Sequence, residues 1–379
     1  MLTVSKLRRK PRHFARLTGL SVEQFEHLVR ELAPVYAQQQ AWRAQGPGRQ
    51  RLAGGGHPFA LALNERLLAT LLYYRLYVTG TLLSYLFNLD ESNLCRERNG
   101  RMLPALQEVL PTPMQDHLLS ALEDKDQASN PNSNPDSDSN PNSNPNSNPK
   151  RRKRISTLKE LLEAHPELED VWADATEQEV PKPQDKDRKK QLYSGKSHCH
   201  TLKTQLVTSG RLILHTFGGI AGSVHDRQLL RASGIMRSLP ALASASASTS
   251  TSASASASAS ASTSTSTSTS TSTSTSTSTR RRVRLDRGYD GAEKEWQKVP
   301  QIEIIMGVKG RRNRTVTALG RALNRVLARK RMQVEQNIGH LKNWRLLSGL
   351  YRGQHQRYFD ATCVIAGLHN FRLLPGGAW

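Results

Sequence analysis

LEDVWADAT (168–176) is a short apolar run that closes on a carboxylate, Asp174. RRVRLDRGYDG (281–291) follows the same plan, a strand-like run ending at Asp286 with a glycine turn behind it. Between them, HCHTLKTQLVTSGRLILHTFGG (198–219) holds two alternating runs around Ser209-Gly210, which read as a β-hairpin. SVHDRQLLRASGIM (223–236) reads as a helix and IEIIMGVKG (302–310) as a further buried strand. A long basic helix follows from about Thr315 to Ser348, with Leu327, Val334, Ile338 and Leu341 on one side, and a last helix covers 355–373. Strands first and long helices after indicate a mixed α/β domain.

Upstream, residues 1–125 are rich in helical patterns. NERLLATLLYYRLYV (64–78) sets Leu67, Leu68, Leu71 and Leu72 on one face. TGTLLSYLFNL (79–89) and DESNLCRERNGRMLPAL (90–106) read as two further helices joined by a tight turn, with Asp90 placed to cap the second. That second helix carries Arg96, Arg98 and Arg101, the layout of a helix-turn-helix that reads DNA, although small bundles with exposed arginines share it.

Two tracts interrupt these blocks. SNPNSNPDSDSNPNSNPNSNP (129–149) and the alternation of Ser with Ala or Thr at 244–279 offer nothing apolar to bury and read as extended or disordered. Repeat expansion in a tolerant loop accounts for them, since closure entropy rises only logarithmically with length. The expected organisation is a helical domain at 1–125, a linker at 126–150, and a mixed α/β domain at 151–379 interrupted at 243–280. KRRKR (150–154) reads as a basic junction close to DNA in a bacterial protein, or as a nuclear signal in a eukaryotic one.

Lys and Arg outnumber Asp and Glu by 54 − 32 = 22, which favours a polyanionic partner through counterion release. No run of about 18 apolar residues occurs, so no membrane helix is expected, and the basic N-terminus lacks the apolar core of a secretory signal. Cys95, Cys199 and Cys363 lie far apart, which speaks for a reducing compartment and against a zinc site.

Asp174 and Asp286 at strand ends, with Glu335 brought in by the long helix, would form an oxygen-rich pocket of the kind Mg²⁺ prefers. Acids at strand ends also form turns, and a mid-helix Glu is usually solvated. Arg331 and Lys342, at i−4 and i+7, share the face of Glu335, and Gly339 leaves that face open. A metal held against DNA phosphates and a plain Arg331–Glu335 ion pair both fit that stripe.

In order along the chain, DATEQ (174–178), QLYSGKSHCHTLK (191–203), the glycine turn with His225-Asp226, LDRGYDG (285–291), VEQNIGHLKNWRLL (334–347), YRGQHQ (351–356) and IAGLHNF (365–371) resemble the DDE transposases of bacterial insertion sequences. More narrowly, they resemble insertion-sequence family five, on the branch related to the Harbinger transposases. The resemblance covers most of 168–373, and 64–106 is similar to the helix-turn-helix that precedes the catalytic domain there. It implies a ribonuclease-H-like fold and catalytic, metal-holding roles for Asp174, Asp286 and Glu335 with two Mg²⁺ (or Mn²⁺) ions. The acids are spaced 286 − 174 = 112 and 335 − 286 = 49 apart, and the Ser/Thr tract accounts for the long first gap.

The function so implied is a transposase that binds inverted-repeat ends, then cleaves and joins DNA with no covalent enzyme intermediate. Double-stranded DNA is the partner, a homodimer or larger synaptic complex is expected, and the site of action is the bacterial cytoplasm at the nucleoid. DNA contacts are expected from Arg96, Arg98, Arg101, Tyr193, Lys196, His200, Lys203, Arg331 and Lys342, with His225 and Asp226 as supports behind the acids. The alternatives are a transposase-derived DNA-binding protein and a non-transposing nuclease.

Overall fold

The structure is a computed structural model that describes residues 1–44, 59–110, 170–236, 281–296, 302–310 and 315–373. Both low-complexity tracts, KRRKR and the boundaries expected at 125 and 150 lie outside the described residues.

The N-terminal part is helical: α1 (Val4–Arg8), α2 (Pro11–Thr18), α3 (Val22–Ala44), α4 (Leu63–Leu76), α5 (Gly80–Phe87), α6 (Glu91–Glu97) and α7 (Leu103–Val109). Side chains at four starts accept backbone N–H groups: Thr3 for α1, Ser21 for α3, Thr79 for α5 and, as expected, Asp90 for α6. A π-helical turn at Arg98–Met102 joins α6 to α7. Pro104 explains part of this, because its missing N–H leaves the Gly100 carbonyl without a helical donor. The Arg43 guanidinium supplies that donor instead.

The C-terminal part contains β1 (Asp170–Glu179), α8 (Lys186–Leu192), β2 (Tyr193–Ser194), β3 (Cys199–Ser209), β4 (Leu212–Ala221), α9 (Asp226–Ala232), β5 (Arg281–Leu285), α10 (Ala292–Trp296), β6 (Ile302–Met306), α11 (Ala318–Lys342) and α12 (His355–Leu373). The strands form one mixed sheet in the order β2-β3-β1-β5-β6, with β4 also paired to β3. The β1/β3 and β3/β4 pairs are antiparallel, whereas β1/β5 and β5/β6 are parallel. Gly210, at φ 54°, makes the tight turn of the expected hairpin. The long helix stops at Lys342, short of the expected Ser348: Asn343 caps it and a 3-10 turn follows at Arg345–Leu347.

Alternation along β1 sorts its side chains between two layers. Val171 and Ala173 enter a core with Leu230, Val283, Leu285 and Tyr289 on one face of the sheet. Trp172 faces the other way and packs with Leu327 and Val334 of α11. Burying such side chains contributes roughly 2 kcal/mol each and fixes α11 across the sheet.

The helical and α/β parts share one core. Leu28, Leu67 and Leu106 belong to the same buried cluster as Leu206, Trp344, Ile365 and Phe371. Gly19, at φ 77°, lies so close to Trp344 that an added Cβ would meet its ring at 2.8 Å. His27 stacks on Phe371 with centroids 5.5 Å apart.

Candidate active site and nucleic-acid interface

Strand register brings the first two acids together. The parallel β1/β5 ladder ends at Ala173 opposite Leu285, so Asp174 and Asp286 are the next residue on each chain. Asp174 does not close its strand, as its sequence context suggests. β1 runs on to Glu179, held by antiparallel pairing in which Asp174 faces Leu206. Asp174 shares the Trp172 face, the side covered by α11, and α11 delivers Glu335.

All three carboxylates meet one guanidinium. Arg331 lies 3.2 Å from Glu335 Oε1 through Nε and 3.3 Å from Asp174 Oδ2 through Nη2, and its Nη1 pairs with Asp286 Oδ1. The i,i+4 pair with Glu335 is therefore real, but it is one arm of a three-way contact. Asp174 is nearly buried, and its Oδ1 accepts the Ala175 N–H at 2.8 Å. Burial raises its carboxyl above the ordinary range, with the Arg331 charge working against that rise. Asp286 and Glu335 are more open, with side chains 26% and 58% exposed, so the centre faces solvent on one side. Beside it a cavity of about 330 Å³ runs between α11 and the sheet, lined in part by Trp172, Asp286, Asn324 and Arg331.

Three hard-oxygen carboxylates gathered around one cationic group form a donor set that suits a divalent cation such as Mg²⁺ or Mn²⁺. Among the described residues, no group of three or more His, Cys, Asp or Glu is placed so that it could hold an ion as it stands. The guanidinium lies between the acids, so an ion there requires Arg331 to move aside.

A second charged cluster supports this centre. Lys203 is buried; its Nζ donates to Asp226 Oδ1 at 2.9 Å and to the Val224 carbonyl at 2.8 Å, and lies 3.5 Å from Glu177 Oε1. This corrects the expectation of a phosphate contact from Lys203, whose charge is spent inside the protein. Burial opposes the Glu177 charge, but hydrogen bonds from Ser197 and Ser194, the Lys203 ammonium and Thr201 outweigh it and hold the carboxyl below its ordinary range. Asp226 presses against the loop behind Asp286, where a Cβ on Gly288 would meet its Oδ2 at 2.8 Å. His225, rather than Asp226, caps α9, its Nδ1 accepting the Arg227 N–H at 3.3 Å.

Tyr289 and Glu177 went unnoticed in the sequence. The Tyr289 hydroxyl is buried beside the acids and has no hydrogen-bond partner among the described residues; burial first, then Asp174, Asp226 and Asp286, push it well above the ordinary phenol range. The three-residue offset from Asp286 was the available signal, hidden because tyrosine in a glycine turn reads as packing. Of the remaining expected contacts, Tyr193 and Lys196 are exposed, and the Lys196 charge reaches Asp174. His200 is half-buried with its ring against Tyr193, and Lys342 is exposed below Glu335 on α11.

Along α6 and the π turn that follows it, the expected arginines part company. Arg96 is exposed. Arg98 turns inward and lies 3.5 Å from the Tyr73 ring centroid. Arg101 is 3.2 Å from Glu97, a buried carboxylate that also accepts the Tyr36 hydroxyl at 2.7 Å. Two of the three are thus committed to packing, while Ser92 and Asn93, which the sequence did not single out, are exposed one turn before Arg96.

Comparison with known proteins agrees with this layout. Residues 59–111 match the helix-turn-helix of DDE superfamily endonucleases, the segment that holds α4 to α7. A relative from Microchaete diplosiphon described as a probable transposase for insertion sequence element IS702 is 27% identical over 216 residues, 57% of this chain and 61% of the relative. The chain thus spans 61% of the length of that curated relative. No solved structure matches it. Among the described residues no helix is long and apolar enough to cross a membrane. Residues 173–370, just over half of the chain and the part that carries all three acids, match the DDE superfamily endonuclease family, and the chain belongs to that family.

Proposed function

We propose that the chain is a transposase that binds the inverted-repeat ends of its own element and cuts and joins DNA with Asp174, Asp286 and Glu335. The observation that carries this reading is the convergence of the three acids, from β1, the end of β5 and α11, on a single cationic group. The sheet order and the crossing helix support a ribonuclease-H-like fold for residues 151–379.

When bound by these carboxylates, two divalent ions supply activation of the attacking oxygen and stabilisation of the leaving one. The chain's own groups do the rest. Asp174, fixed by its strand and by the Ala175 N–H, presents Oδ2 to the centre. Arg331, once released from the acids, is placed to meet a DNA phosphate, with Lys196 and Lys342 as further cationic contacts. Asp226 and Lys203 hold the Asp286 loop against the sheet. On the reading side, Arg96 faces outward to meet base edges and the basic excess meets phosphates. Two ends must be held together, so the working form is a dimer or larger assembly, acting at the bacterial nucleoid.

Purified full-length chain with Mg²⁺ and a labelled duplex carrying the terminal repeat tests the reading. Strand-transfer products support it. Hydrolysis without transfer identifies a nuclease, and binding without cutting identifies a DNA-binding derivative; either overturns it.

A further inference from the structure

Tyr77 ends α4 with φ 50° and ψ 45°, a left-handed conformation that a bulky residue keeps only where its surroundings hold it. Those surroundings belong to the α/β half. The Tyr77 ring stacks on Tyr351, with centroids 6.1 Å apart and planes 8° from parallel. Its hydroxyl accepts the Arg352 backbone N–H at 2.7 Å, and the Arg352 guanidinium donates to its carbonyl at 3.4 Å.

The segment around Tyr351 is tied in turn to the strand that carries Asp174. The Tyr351 N–H donates to the Glu179 carbonyl at 2.8 Å, and the Gln178 side-chain amide donates to the Gly349 carbonyl. On the other side, Val78 leads from Tyr77 directly to Thr79, the cap of α5. A continuous path therefore runs from Asp174 along β1, across Tyr351 and Arg352 to Tyr77, and into α5 and α6. A cavity of about 360 Å³ borders this joint between Thr79, Leu83, Arg98 and Arg352. Leu83 and Phe87 bury one face of α5 in the shared core, and the joint sets where the helix begins beside that cavity.

We propose that Tyr77, with Arg352, is a positioning residue that fixes the helix-turn-helix relative to the three acids. On this view the protein sets the number of base pairs between the sequence read and the phosphate cut. The inference rests on the reading of those two parts given under the proposed function. Glycine would end α4 here with less strain, so a tyrosine kept in this conformation points to a task beyond capping.

The test uses the full chain. Tyr77→Gly removes the ring while suiting the backbone, and Tyr77→Phe keeps the stack but loses the hydroxyl contact. Arg352→Ala leaves the Tyr77 backbone untouched and serves where Tyr77→Gly does not fold. Nitroxides at Tyr85→Cys and Lys186→Cys, on a Cys95→Ser, Cys199→Ser background, report the distance between the halves by pulsed electron resonance. With Tyr77 the distribution should be one narrow peak; Tyr77→Gly should broaden it, and Tyr77→Phe should fall between. On a terminal-repeat duplex with Mn²⁺, the chain with Tyr77 should cut one phosphate, whereas Tyr77→Gly should spread cuts over several neighbours with DNA affinity unchanged. An unbroadened distribution overturns the proposal, and so does a single cut position despite broadened distances. If no form cuts, the reading of the acids fails, while the distances still decide the joint.

Discussion

The carboxylate centre and the arginines at 96, 98 and 101 are two clusters of charge that the fold treats in opposite ways. The centre draws Asp174, Asp286 and Glu335 from three elements, and all three reach one guanidinium. The arginines start within one short stretch of helix and end in three different places: solvent, the Tyr73 ring and the Glu97 carboxylate. Proximity in sequence is therefore a poor guide to shared surroundings. Parallel register forces Asp174 and Asp286 into adjacent positions, and packing of Leu327 and Val334 on Trp172 fixes which side of α11 meets them. After α6 the π turn at Arg98–Met102 alters the helical phase, so residues evenly spaced along the chain are no longer evenly placed around the axis.

The largest effect that sharpens this contrast is at the acids. Asp174→Asn, Asp286→Asn and Glu335→Gln should each lower DNA cleavage on the order of a thousandfold while leaving gel-shift affinity intact. Normal cutting by any one of them breaks the centre as drawn.

His369 tests whether the two regions stand or fall together. It is buried in α12, its Nε2–H donates to the Arg211 carbonyl at 2.9 Å, and burial lowers its pKa to about 4. The unfolded chain takes up this proton near pH 6.5 and the folded chain does not, so stability is complete above about 6.5 and falls as pH drops towards 4. The loss should be about 3 kcal/mol by urea denaturation, reduced in His369→Gln. Because the helical and α/β parts share a core, Trp fluorescence and helical circular dichroism should move in one transition. Two separate transitions would show that the regions are independent bodies.

Arg96→Ala should weaken binding to the terminal repeat by about 1–3 kcal/mol and relax base preference at one position. Equal weakening on every sequence would make it a phosphate contact instead. Arg331→Ala should raise Mn²⁺ affinity roughly tenfold in calorimetry, about 1.4 kcal/mol, because the competing guanidinium is gone. Unchanged affinity would mean that Arg331 and the ion do not compete. The smallest change is expected at Arg98, where Arg98→Ala should cost about 1 kcal/mol of stability through the lost contact with Tyr73 and leave DNA affinity nearly unchanged.

Much of the fold could be read before any coordinates. The β3–β4 hairpin, the strands at 281–285 and 302–306, the α5–α6 pair with its Asp90 cap, and the last helix all follow from local alternation, capping and glycine placement. The candidate acids stand out partly by position and mainly by the order of motifs around them. Lys203 has the sequence pattern of an exposed basic strand, and only Glu177 and Asp226 from other elements reveal that its charge is neutralised inside. Tyr289 and Tyr77 are illegible in the sequence for a related reason, since a tyrosine carries no local mark of the atoms it will meet.

The sequence by itself therefore determined the element types, the candidate acids and the excess of positive charge, because period, capping and composition act over a few neighbouring residues. Only the tertiary structure decided which charges meet. It placed Arg331 among the three acids, laid Arg98 on Tyr73, paired Arg101 with Glu97, and tied Tyr77 to the strand of Asp174 through Tyr351. Those outcomes depend on strand register and on helices crossing a sheet, contacts between residues far apart in the chain that no local pattern encodes.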